Sequence, residues 1–353
     1  MRITLVSDAW SPQVNGVVRT LSTVLDLATA RGHRVQTITP DRFFSVPMPS
    51  YPEIRLALTT RRKIAATIAG FDPDAVHIAT EGPLGWLARG WCLAHGVPFT
   101  TSFHTRFPDY IAARTGLSPS LFWRVLTRFH RPAQHILVAT PRLAAELGEH
   151  GLHRTRPWTR GADLALFRPD REAHPAFADL PRPIALHVGR VAVEKNIAAF
   201  LAADWPGSKV VVGDGPALDE LQRSYPEAHF LGALHGEALA STYAGADVLA
   251  FPSRTDTFGL VIIEALASGT PVAGYPVPGP LDIMGADGCG TEAGPRARIG
   301  GVDDDLAVAL RQALSARRAD CAAYGALFSW ERSCDQFLAA LAEVEQPLID
   351  LAA

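Results

Sequence analysis

Short apolar and β-branched runs at 3–6, 75–78, 99–103 and 136–138 alternate with longer stretches of helical character through the first half of the chain. That alternation predicts a parallel sheet covered by helices on both faces. The pattern then restarts: runs at 183–188, 209–212, 247–251 and 271–275 are strand candidates, and 260–268 and 304–314 are helical between or after them. Between the two series, 167–183 carries Pro169, Pro175, Pro181 and Pro183 without a sustained apolar period, and it reads as a connector. The expected architecture is α/β, two doubly wound domains at 1–165 and 166–329 with a cleft between them. A helical tail at 330–353, with Phe337, Leu338, Leu341 and Val344 near helical spacing, is expected to pack across the domains. In such sheets ligands sit beyond the carboxyl ends of the strands, so the loops after strands are where chemistry is sought.

A length of 353 residues agrees with two domains. Cys92, Cys289, Cys321 and Cys334 lie far apart without CxxC spacing, which signals neither a zinc site nor a disulfide framework and fits a reducing cytoplasm. The opening MRITLVSDAW lacks the apolar stretch of a signal peptide, and no later run approaches a bilayer span, so a soluble or peripheral protein is expected. Charge is divided unevenly. Residues 1–165 hold 19 Lys and Arg against 11 Asp and Glu, a net of +8, while 166–353 hold 14 against 25, a net of −11. Such asymmetry can mark a contact surface for anionic lipid or nucleic acid.

The sharpest chemical signal is SRTDTFGLVIIEALASGTP at 253–271, directly after a strand candidate. A strand, a small polar loop and a helix from about Gly259 make a phosphate-binding geometry, with the amides of Thr257, Phe258 and Gly259 and the positive helix end facing the loop. Asp256 and Glu264, eight apart, can face one ligand from two sides; in the plainer reading Asp256 caps the helix and Glu264 is a solvated charge. Glu264 resists that reading, because it follows Val261, Ile262 and Ile263, where an unpaired carboxylate is costly. HVGRVAVEKN at 187–196 sets Arg190 and Lys195 in the loop after the first strand of the second domain. Two cations there can neutralise a diphosphate leaving group, or Lys195 can simply pair with Glu194. In VVGDGPALDEL at 211–221, Gly213 and Gly215 are present, but Leu218 stands where a third glycine would complete GxGxxG, so a dinucleotide fingerprint is absent.

In the first domain, SDAWSPQVNGVVRT at 7–20 leads into a helix near Gly16, which allows close approach of a ligand or makes a tight turn. FHTRFPDY at 103–110 sets His104 after a strand, at the cleft edge, with Arg106 and Asp109 close by. The acidic run Asp303, Asp304 and Asp305 reads as a solvated helix start rather than a metal site. LSPSLFWRVLTRFHRPAQH at 117–135 combines Phe122, Trp123, Leu126 and Phe129 with Arg124, Arg128 and Arg131; a helix of this kind lies at an anionic membrane surface or buries its apolar residues in the core.

Taken in order, these segments resemble glycosyltransferase family 4 of the GT-B, two-Rossmann-domain class, over nearly the whole chain. The family's acid-x7-acid signature matches Asp256 and Glu264, its GR…EK loop matches Arg190, Glu194 and Lys195, and its GDGP turn matches 213–216. Its RGxD…FxP element is similar to Arg160, Gly161, Asp163, Phe167 and Pro169, and FHTRFPDY is similar to the segment bearing the family's important histidine. The resemblance implies a retaining, metal-independent hexosyltransferase without a cofactor. Glu264 is then expected on the ribose hydroxyls, Arg190, Lys195 and the amides of Phe258 and Gly259 on the diphosphate, and Asp256 on the transferred sugar. His104 and Gly16 are expected to meet donor groups from the other wall, and no protein nucleophile is assigned. The first acid of the family's pair is usually Glu, so Asp256 is one methylene short, which bears on donor preference.

Likeness to bacterial glycolipid synthases and the basic first domain favour a UDP-sugar donor and a lipid acceptor such as diacylglycerol, at the inner face of the plasma membrane. The enzymatic rival is a GDP-mannose-dependent mannosyltransferase, since uracil and guanine are not distinguishable from 213–216 and 232–235. A regulator that binds nucleotide-sugar without turnover is the alternative of a different class. No nucleic-acid partner is expected, because the basic residues do not interleave along an RNA-binding motif.

Overall fold

The computed structural model describes residues 1–13, 15–48, 51–104, 118–256, 258–292 and 296–344. The chain divides into two compact units, Met1–Arg160 together with the stretch from Trp330, and Gly161–Ser329. Of the segments singled out above, Arg106, Asp109 and Thr257 lie outside the described residues.

The first unit runs β1 (Arg2–Val6), α1 (Gly16–Ala30), β2 (Arg34–Ile38), a hairpin of β3 (Ser45–Met48) and β4 (Tyr51–Ala57), α2 (Arg61–Phe71), β5 (Ala75–Ile78), α3 (Pro83–Ala94), β6 (Thr100–Phe103), α4 (Pro119–His130), β7 (Ile136–Val138), α5 (Pro141–Glu149) and β8 (Thr155–Pro157). Six strands form one sheet in the order β2-β1-β5-β6-β7-β8, all parallel. Strands β1, β5, β6 and β7 are buried almost throughout, which is why β1, β5 and β7 read in sequence as largely apolar runs rather than alternating ones, whereas β6 buries the polar Thr100, Thr101 and Ser102.

The second unit repeats the plan with β9 (Ala185–Val188), α6 (Ile197–Ala202), β10 (Lys209–Val212), α7 (Leu218–Ser224), β11 (His229–Phe230), α8 (Gly236–Gly245), β12 (Val248–Phe251), α9 (Leu260–Ala267), β13 (Val272–Gly274), α10 (Pro278–Met284), β14 (Gly300–Val302), α11 (Leu306–Ala313) and α12 (Arg318–Gly325). Its parallel sheet has the order β11-β10-β9-β12-β13-β14, so the winding reverses between β9 and β12. Arg318 secures the helix layer by donating to the C-terminal carbonyls of Ala244, Ala246 and Ser268, a cation placed at two helix C-termini. Asp305 caps α11 by accepting from the amide of Ala307 at 2.8 Å, as the solvated-helix-start reading of the acidic run requires.

The last helix, α13 (Trp330–Ala342), returns to the first unit and packs on α1. Gln336 accepts from the amide and hydroxyl of Thr159, Ser333 donates to the Thr159 carbonyl, and Phe337 lies against Trp158 and His77. No helix among the described residues is long and apolar enough to cross a membrane.

Candidate functional site

In the second unit the winding reverses where β9 and β12 lie side by side, and both send loops from their carboxyl ends. The β9 loop is Gly189–Asn196 and the β12 loop is Pro252–Gly259; Asn196, left-handed at φ 55°, ties them by donating to the Pro252 carbonyl at 3.2 Å. Across this junction Lys195 Nζ meets Asp256 Oδ1 at 2.6 Å, each side chain about a quarter exposed. Lys195 therefore pairs with the first acid of the signature, not with Glu194. Arg190 projects from the same loop and is exposed.

Gly213 and Gly215 owe their identity to the neighbouring loop. A Cβ on Gly213 would stand 1.8 Å from the Gly189 carbonyl oxygen, and one on Gly215 2.3 Å from that of Val191. Only glycine lets the backbones approach so closely. Val191 donates to the Asp214 carbonyl, Ala217 to that of Val191, and Gly213 to that of Gly232, so the 213–216 and 232–235 loops flank the Arg190 loop as one backbone-stitched shelf.

Helix α9 starts after Gly259, which is left-handed at φ 88°, with no side-chain cap. Asp256 is thus not its cap. Phe258 is buried and packs edge-on against Phe328, and Gly279 lets α10 come under the loop, since a Cβ there would lie 2.9 Å from the Phe258 carbonyl. Glu264 is 2 % exposed, and its Oε2 accepts from the Tyr243 hydroxyl at 3.0 Å. The solvated-charge reading fails for it: the apolar helix tolerates the carboxylate because α8 supplies a phenol.

One residue of this site escaped sequence reasoning. His187 on β9 is buried, and its Nδ1 lies 3.3 Å from the Ala250 carbonyl, which can only accept, so Nδ1 carries the proton. Its Nε2 lone pair has no partner among the described residues. Burial, then the charge of Lys195, pushes the imidazole down to about 4 and keeps it neutral. The available signal was a lone histidine inside the apolar strand ALHV, immediately before the Gly189–Arg190 turn.

In the first unit, His104 at the end of β6 is buried. Its Nδ1 lies 3.0 Å from an Arg160 guanidinium nitrogen and its Nε2 2.8 Å from Ser102 Oγ. A guanidinium only donates, so Nδ1 accepts and Nε2 carries the hydrogen of the neutral ring. Ser102 donates to the Ala79 carbonyl and accepts from His77 as well. Burial, then the Arg160 charge, holds His104 well below the ordinary histidine range, and burial alone takes His77 to about 3 and Arg160 to about 10. With its one lone pair spent on Arg160, the His104 ring is not set up as a base. Gly16 opens α1 in helical conformation, and Asn15 caps the helix by accepting from the amides of Val17 and Val18.

The arrangement in the second unit can hold a diphosphate: cations on one loop, a helix start that no described side chain caps on the next, and a carboxylate between them. Residues 14–166 match the glycosyltransferase family 4 model, and 182–315 match glycosyl transferases group 1. A GDP-mannose-dependent alpha-mannosyltransferase of Mycolicibacterium smegmatis is 33% identical over 307 residues, covering 80% of this chain and 82% of that protein. The chain belongs to glycosyltransferase family 4. Alpha-monoglucosyldiacylglycerol synthase of Streptococcus pneumoniae is 27% identical, covering 78% of this chain and 71% of its own. Among solved structures, sucrose-phosphate synthase of Thermosynechococcus elongatus superposes with a TM-score of 0.72 at 24% identity, over 97% of this chain and 98% of the other, which places the two units in the GT-B fold. This family 4 enzyme transfers a sugar from a nucleotide-sugar.

Proposed function

We propose that the enzyme transfers a hexose with retention of configuration, and without a metal, from a nucleoside diphosphate sugar to a lipid acceptor at the cytoplasmic face of the membrane. The observation that carries this reading is the Lys195–Asp256 pair at the switch point. As the sugar departs, charge grows on the diphosphate, and Lys195 with Arg190 stabilises that charge more than the ground state, which accelerates the bond-breaking step. The amides at Phe258 and Gly259 add the positive end of α9, and Glu264, already oriented by Tyr243, accepts from the ribose hydroxyls. Asp256, released from Lys195 when the cation turns to phosphate, takes up a sugar hydroxyl. The acceptor attacks from the face the leaving group vacates, and a phosphate oxygen takes its proton. His104 serves by position, as a neutral ring fixed by Arg160 and Ser102.

For the donor, GDP-mannose moves ahead of a UDP-sugar, because the mycobacterial relative named for GDP-mannose is similar at 33% identity, against 27% for the diacylglycerol glycolipid synthase. A UDP-sugar with diacylglycerol is the second reading, favoured by that synthase. A panel of GDP- and UDP-sugars incubated with total membrane lipid, followed by mass analysis, tests both. Hexosylated lipid formed from GDP-mannose is expected. Lipid products from UDP-sugars alone would select the second reading, and donor consumption without any lipid product would remove the acceptor class.

A further inference from the structure

Helix α4 sorts its side chains in a way its sequence does not announce. Trp123, Leu126 and Phe129, three of the apolar residues that suggested a membrane helix, are 0–7 % exposed and belong to the core. The outer face nevertheless stays apolar. Leu121 and Val125, one turn apart, are 51 % and 48 % exposed, and Leu93 on α3 is 48 % exposed. Arg124, Arg128 and Arg131 are exposed beside them. Arg89 locks the two helices together, donating to the carbonyls of Phe129 at 2.9 Å and Arg128 at 2.6 Å while lying over the Trp86 ring.

Between α3 and α4 runs an open groove of about 1150 Å³, lined by these side chains. Trp123, stacked on His150 at 3.7 Å, lies along it, and no carboxylate is among its described lining residues. We propose that this α3–α4 face docks on an anionic phospholipid bilayer, with Leu93, Leu121 and Val125 entering the interface and Arg124, Arg128 and Arg131 on lipid phosphates. The charge decides the occupant. A protein partner of ordinary composition brings both signs to a rim, whereas a surface combining bare aliphatic groups with guanidinium alone matches an interface whose outer layer is phosphate and whose inner layer is hydrocarbon. The inference deepens the lipid-acceptor reading and rests on it for its purpose, since docking holds the enzyme where such an acceptor lies.

The test is flotation of the full chain with vesicles of phosphatidylcholine alone and of phosphatidylcholine mixed with phosphatidylglycerol. Binding to the mixed vesicles that weakens with salt is expected, because exposed charges are screened over a Debye length. Arg124→Glu with Arg128→Glu should lower the partition coefficient at least tenfold, and Leu121→Ser with Val125→Ser about fivefold. Nucleotide-sugar hydrolysis without vesicles should be unchanged in both, which also shows them folded. Equal binding to the two vesicle types, no binding, wild-type binding by both variants, or a dimer in sedimentation that the variants dissociate would overturn the proposal. Loss of sugar transfer to every lipid with vesicle binding intact would instead remove the lipid-acceptor reading and leave the docking face standing.

Discussion

The two units reverse their winding in the same way, and they use the reversal point differently. In the first unit β1 and β5 are the neighbours, and the loop after β1 delivers Asp8 to the start of α3. Its carboxylate accepts from the amides of Leu84 at 2.9 Å and Gly85 at 3.2 Å and from the Thr80 hydroxyl at 3.1 Å, and Gly82 leaves room for it, since a Cβ there would stand 2.3 Å away. The chain's own anion thus occupies the anion position of a helix N-terminus. In the second unit no side chain among the described residues caps the start of α9, and Asp256 of the preceding loop is paired with Lys195. One junction is closed by its own sequence, and the other is the one that the proposed function assigns to a ligand's phosphates. The same topology therefore becomes scaffold or site according to whether an acidic side chain reaches the helix end.

The largest expected effect breaks the open junction. Lys195→Ala should lower turnover at least 10²-fold, about 2.7 kcal/mol of transition-state stabilisation, and Arg190→Ala should do likewise. Steady-state kinetics on the folded variants checks this, and near-normal turnover would leave the cations without a role. Lys195→Arg should recover part of the loss, because charge returns while the fit to Asp256 does not.

Breaking the closed junction should give the opposite profile. Asp8→Ala leaves two helix amides and a hydroxyl without their acceptor in a buried place, a cost of about 2–3 kcal/mol. Chemical denaturation should register that loss in the first unit, while kcat per folded molecule stays within a few-fold of wild type. A hundredfold loss of kcat at intact stability would show that Asp8 serves the chemistry after all.

How far the sequence announces this arrangement differs by feature. The buried parallel strands were legible because both faces are covered: candidates at 75–78, 136–138 and 209–212 coincide with observed strands, and 260–268 with α9 to within one residue. Short edge strands such as β11 and β14 carry too few apolar residues to stand out. Lys195, Asp256 and Glu264 stand out in the sequence as candidates, but the partners they have in the structure do not. That Lys195 reaches Asp256 and not Glu194, and that Tyr243 satisfies Glu264, depends on residues 61 and 21 positions apart being brought together by sheet order and helix packing. Asp8 went unremarked for the same reason, its partners lying 72 to 77 residues away.

Acid should separate the units further. His77 and His187 are neutral in the fold, at about 3 and about 4, against 6.5 when unfolded. A lowered folded value means that the unfolded chain takes up the proton first, so stability is complete above about pH 6.5 and falls as pH drops towards the folded values. From pH 7 to 5 each costs about 2 kcal/mol, and His104 adds a loss of the same sign in the first unit. Hydrogen exchange at the two pH values should show protection falling more in β5 and β6 than in β9; equal falls would mean that the histidine network around Ser102 relaxes before it titrates.

The smallest effect sharpens the open junction itself. Asp256 is a methylene shorter than the glutamate usual at this position in the family, and it spends its reach on Lys195 at 2.6 Å. Asp256→Glu lengthens the side chain so that the carboxylate can stay near Lys195 and still extend towards the sugar. One hydrogen bond gained or lost at a sugar hydroxyl is worth about 1 kcal/mol, or roughly fivefold. The ratio of kcat/KM between two donors differing only in the stereochemistry of one hydroxyl should therefore move by about that factor, with thermal stability nearly unchanged. An unaltered ratio would mean that Asp256 orders Lys195 and does not read the sugar, and the donor's identity would then have to be read by the 213–216 and 232–235 loops.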